Sequence, residues 1–172
     1  MGSKEWVGGH AGDELFGGYE YYKRFGQIAE FPETNPSVYS GYSGLGVRFN
    51  GWEDTSIRED VDARWRGFSD IYEFEDDPVQ KMVQTVLYSD TVVQLESIGI
   101  READTMSMLN SVEPRCFYLG RDVLEFALNL PALYKINPHS EDPEMVTRPL
   151  MKRLFIRKFG KELLHPKQGF SG

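Results

Sequence analysis

The stretch "AGDELFGGYEYYKRF" (residues 11–25) sets two acids before a glycine pair and a dense run of aromatics. Asp13 and Glu14 suit the first turn of a helix, where unpaired backbone N–H groups carry partial positive charge. Gly17 and Gly18 inside that helix cost about 1 kcal/mol each relative to Ala. Such a pair implies that something comes close to the backbone there. The pattern predicts a helix from about Asp13 to Ala29.

Working outward, "EWVGG" (5–9) reads as the end of a strand running into a turn. Downstream, residues 31–52 are rich in Pro, Gly and Ser and read as a long loop. Pro78 opens the next helix, with Met82, Val83, Val86 and Leu87 as its apolar stripe. "READTMSMLNSVEPR" (101–115) is predicted as a helix broken near Pro114. In residues 120–131 the core face is Val123, Leu124, Phe126, Ala127 and Leu130, ended by Pro131. "RPLMKRLFIRKF" (148–159) reads as a basic amphipathic helix with Leu150, Leu154 and Phe155 inward, stopped near Gly160. The expected fold is mainly α, with at most a short strand stub near Trp6 and Val7. That stub has no partner strand in this reading, so the chain is expected to be part of a larger fold.

The chain has 172 residues, 40% hydrophobic and 13% aromatic, which favours a folded body over a disordered tail. A net charge of −8 argues against a dedicated nucleic-acid binder. The charge is uneven: residues 51–77 are acid-rich and residues 147–167 strongly basic. A basic patch on an acidic protein suits a phosphate or carboxylate ligand. Cys116 is the only cysteine, so no intrachain disulfide forms, which fits a reducing compartment. No apolar run reaches membrane-spanning length. The expectation is a cytoplasmic protein without membrane or nucleic-acid partners.

Three clusters carry candidate chemistry. In "GGHAGDELFGGY" (8–19), Gly8 and Gly9 permit close backbone approach, and Asp13 and Glu14 are able to hold a metal or an amine; the simpler reading is a helix start capped by Asp13. In "DTMSMLNSVEPR" (104–115), Ser107 and Ser111 share one helix face. Glu113 and Arg115 meet only where that helix breaks. The simplest role for them is a buried pair holding a corner, whose loss would be strongly destabilising. In "HPKQGF" (165–170), Lys167 is either a phosphate contact or a solvated tail lysine.

"GDELFGGYEYY", "DTMSMLNSVEPR", "LEFALNLPALYKI" and "HPKQGF", in that order, resemble the synthetase domain of glutamine-dependent asparagine synthetases, over about residues 6–170. The resemblance implies the helical C-terminal portion of an α/β nucleotide alpha-hydrolase-type domain, residues 1–172 being one partial synthetase domain. It implies Mg-ATP, a carboxylate such as aspartate, an acyl-adenylate intermediate and ammonia as nucleophile. Carried over by position, Asp13 is an active-site acid followed by Glu14, and Gly8 and Gly9 belong to the loop meeting the nucleotide. Asp104 lies on the substrate-side helix, Glu113 and Arg115 are the paired acid and base, and Lys167 contacts pyrophosphate, with Lys152 a further candidate. The resemblance also implies a partner: an N-terminal glutaminase portion. The pyrophosphate loop of Ser-Gly-Gly-x-Asp-Ser type is absent from this sequence, and the expectation is a fragment or split subunit that binds ATP weakly alone. His10 stands where asparagine synthetases carry a loop Glu, and Gly120 where the family reads Asp. A homo-oligomer is expected from an apolar face where the missing sheet would dock. The alternative is a non-catalytic helical interaction module derived from the same fold.

Overall fold

The computed structural model describes residues 4–27 and 55–165. The long loop of residues 31–52 and the tail carrying Lys167 lie outside the described residues.

β1 (Lys4–Gly8) is the expected strand, and it does have a partner. It pairs in parallel with β2 (Val112–Cys116), Lys4 opposite Val112 and Gly8 opposite Cys116. This corrects the lone stub and the helix read across residues 101–115. Burial along Val112–Cys116 alternates residue by residue, the period of a strand. The preceding helix stops at Leu109, and Ser111 takes a left-handed φ of 54° before the chain turns into β2.

α1 (Gly12–Phe16) is far shorter than the helix predicted from Asp13 to Ala29. Gly17 ends it in the left-handed conformation, φ 72°, which L residues adopt at a cost. A Cβ at Gly17 would lie 2.5 Å from Ile136 and 2.8 Å from the Lys135 carbonyl oxygen. The glycine therefore admits the segment at Lys135, and 3₁₀ turns over Glu20–Gln27 continue the chain.

α2 (Thr55–Asp70) lies in the acid-rich stretch, a helix not expected from its charge pattern. α3 (Pro78–Ser89) forms as predicted: Asp77 caps it, accepting from the N–H groups of Val79 and Gln80, and Pro78 opens it. Its stripe of Met82, Val83, Val86 and Leu87 is buried with Tyr22, Trp65, Ala132 and Ile136. The chain continues helically through π-type turns, Asp90–Ile100, into α4 (Arg101–Leu109), which buries no residue. α5 (Arg121–Asn129) and α6 (Pro149–Phe159) complete the body. In α5 Ala127 is buried, and Val123, Leu124 and, just past the helix end, Leu130 are packed on the second core with Ala11, Leu15, Phe16 and Leu95. Phe126, expected inside, is 56% exposed, and Leu154 of α6 also faces outward. Met151, not Leu154, carries α6 into that core. Among the described residues no helix is long and apolar enough to cross a membrane.

Candidate active site

The carboxyl ends of the two parallel strands lie side by side, with Gly8 opposite Cys116. Loops leaving such ends are where ligands meet parallel sheets. From β1 the chain passes Gly9, His10 and Ala11 into α1; from β2 it passes a 3₁₀ turn, Phe117–Leu119, that presents Tyr118. A Cβ at Gly8 would lie 2.5 Å from the Trp6 ring and 2.8 Å from His10 Nδ1, so internal packing already requires that glycine. Among the described residues a Cβ at Gly9 meets nothing within 4 Å, so its backbone faces open space there. His10 packs edge-on against Trp6 at 5.6 Å, and its Nδ1 is buried without a hydrogen-bond partner among the described residues. Ala11 holds φ 73°, and the Tyr118 ring lies against Gly12.

Asp13 does not cap α1. The cap position belongs to Ala11, which makes no side-chain cap bond. Arg148 Nη1 instead donates to Asp13 Oδ1 at 3.2 Å, with about a quarter of each side chain exposed. Arg148 sits at the N-cap of α6 with φ 51°, and its N–H donates to the Lys135 carbonyl at 2.8 Å. A cation at a helix N-terminus opposes the helix dipole, so its placement calls for a nearby anion, and Asp13 is one. Arg148 Nε is buried with no hydrogen-bond partner among the described residues, a state that costs about 1–3 kcal/mol. The Tyr118 phenol is shifted upward, mainly by burial; Arg148 opposes the shift and Asp13 adds to it. Lys152, one turn beyond Arg148, donates to the Glu144 carbonyl and to Thr147 Oγ1 at 3.4 Å. Burial lowers the Lys152 ammonium, with Glu144 opposing and Arg148 adding to the effect.

The structure thus gathers Asp13, Tyr118, Arg148 and Lys152. It does not join Glu14, Asp104, Glu113 or Arg115 to them. Glu14 is buried and accepts from the Tyr19 hydroxyl at 2.6 Å. Asp104 is exposed on α4. Glu113 and Arg115 do pair, at 3.3 Å, but on the surface of β2 and together with Glu5 at 3.2 Å. Arg115 is 57% exposed, which corrects the expected buried corner; two strand residues spaced by two share a face that here meets water. The Arg115 guanidinium is shifted upward by its hydrogen bond to Glu5 first, then by the charge of Glu113. Lys167 lies outside the described residues.

Sequence reading missed Arg148 and Tyr118. The signal for Arg148 was local: proline disfavours the right-handed helical region for the residue before it, and a cation there works against the dipole. Lys135 was also missed. It is 1% exposed, and its ammonium donates to Gln84 Oε1 at 2.7 Å. Burial alone brings its pKa down to about 7. Among the described residues no group of three or more His, Cys, Asp or Glu is placed to hold a metal.

The profile of the asparagine synthase family matches residues 1–172, the whole chain. Comparison with curated proteins and with solved structures returns no match. On the family match, this chain belongs to the asparagine synthase family.

Proposed function

We propose that the chain supplies the helical part of an ATP-dependent amidotransferase site that adenylates a carboxylate, such as aspartate, and passes ammonia to it. One observation carries the reading beyond family membership: the Asp13–Arg148 pair at the carboxyl ends of the strands, with an Arg148 donor left without a partner among the described residues. In this reading the substrate carboxylate attacks the α-phosphorus of ATP and pyrophosphate leaves; ammonia then attacks the acyl-adenylate carbonyl, the bond to AMP breaks and the amide forms. Arg148 and Lys152 offer donors to phosphate oxygens. Asp13 orients Arg148 and accepts from the incoming amine. Gly9 leaves its backbone open to the nucleotide, and Lys167 is carried over as the pyrophosphate contact. Magnesium takes one or two carboxylates besides phosphate oxygens. The described site offers Asp13, already paired with Arg148, as a carboxylate for such an ion. The remaining parts, the Ser-Gly-Gly-x-Asp-Ser loop and a glutaminase, belong to a partner portion. The setting is cytoplasmic.

The interaction-module reading has one observation in its favour: both acids of the Asp-Glu pair are already engaged, Asp13 by Arg148 and Glu14 by Tyr19. Carboxylate-dependent ATP–pyrophosphate exchange, measured with the chain joined to its partner portion, separates the two. Asp13→Asn and Arg148→Met should each lower exchange about 100-fold, the scale for removing one preorganised electrostatic group. Wild-type exchange in both variants would remove these residues from the chemistry, and no exchange at all would favour the module.

A further inference from the structure

Two exposed surfaces of opposite charge carry exposed apolar residues at their centres. The first is the outer face of α6 and the turn after it. Leu154, Arg157 and Lys158 recur at helical spacing, Lys161 follows in the 3₁₀ turn after Gly160, and Leu154 is 44% exposed. Arg153 lies beside them, one turn before Arg157. The second is the turn between α2 and α3. There Ile71 is 46% and Phe74 74% exposed, between the exposed carboxylates of Asp70, Glu73 and Asp76. None of these seven charged groups is in an ion pair among the described residues.

The acidic turn is already rigid. Tyr72 is buried and ring-packed against Phe74 and Tyr88, at 6.1 and 6.3 Å. Backbone bonds from Tyr72 to Ser69, Glu73 to Asp70 and Glu75 to Tyr72 close it. Little ordering entropy remains to be lost on docking. An apolar side chain ringed by carboxylates fits an apolar side chain ringed by cations, and charge complementarity of this kind fixes partner and orientation.

We propose that the α6 face binds the Ile71–Phe74 turn of a second copy of this chain. The contact is head-to-tail, so each copy keeps one unused face, and growth continues unless the rotation closes a ring. Exposed ion pairs are screened by salt, so the association is salt-sensitive.

Sedimentation velocity across a concentration series tests this. Wild-type chain should associate at about 50 mM salt and run as monomer at about 500 mM, where charges a few Å apart are already screened. Arg153→Glu with Arg157→Glu, and separately Asp70→Lys with Glu73→Lys, should each be monomeric alone. Mixed in equal amounts they should associate again, because the reversed faces complement one another. Leu154→Ser with Phe74→Ser should also be monomeric, leaving every charge in place. A monomeric wild-type chain at low salt overturns the proposal. So does association that survives both reversals, which would place the contact elsewhere, as on the exposed Met106 and Leu109 of α4.

Discussion

Two clusters built on carboxylates each join segments distant in sequence, with opposite consequences. Asp90 is 6% exposed, and its Oδ2 accepts from the hydroxyls of Tyr21 and Tyr22 at 2.6 and 2.5 Å. Glu113 joins Arg115, which in turn meets Glu5, but all three stand about half exposed. In the first place the medium is protein: burial foremost, then the Asp90 charge, pushes the Tyr22 phenol well upward. In the second the medium is water, where long side chains lose entropy to form a screened pair. Having the right partner is common to both; only burial turns the partnership into a stability term.

The largest expected effect is at the buried end. Asp90→Ala removes the acceptor of two hydroxyls, each bond to a charged group contributing about 1.5–3 kcal/mol. Urea unfolding should show a loss of about 3 kcal/mol or more. A loss under about 1 kcal/mol would mean that water replaces the carboxylate, and the contrast with β2 would collapse.

Lys135 sharpens the comparison because it is buried with an amide and no carboxylate partner among its described contacts. Its folded-state pKa, about 7, lies below the unfolded value of 10.5. Between those values the unfolded chain binds more protons, so stability rises with pH through that window and falls as pH drops toward 7. Stability at pH 9 should exceed that at pH 7 by about 2 kcal/mol from this group. Lys135→Met should flatten that slope and raise stability at pH 7. An unchanged slope would show that the ammonium reaches water.

The smallest effect belongs to β2. Arg115→Ala should leave the urea midpoint unchanged within error, because the guanidinium already stands in solvent. A clear loss would mean that this face is covered in solution.

The sequence by itself determined the local stops and starts. Pro78 after Asp77 opens α3, the stripe from Met82 to Leu87 fixes its buried face, and Gly160 ends α6. These rest on backbone and periodicity rules acting within a few residues. The ordered motifs from Asp13 to Lys167 also pointed to the family that the profile match shows. Only the tertiary structure decided the rest. Val112–Cys116 is a strand because β1, over a hundred residues earlier, offers it a parallel edge; a short run broken by Pro114 shows no such period alone. α1 stops at Gly17 because the segment at Lys135 packs on that glycine. Asp13 meets Arg148 across 135 residues for the same reason: the Lys135 carbonyl accepts the Arg148 N–H and holds the head of α6 beside α1. Local rules choose elements, but which charges leave water together is set by packing between segments that the sequence keeps far apart.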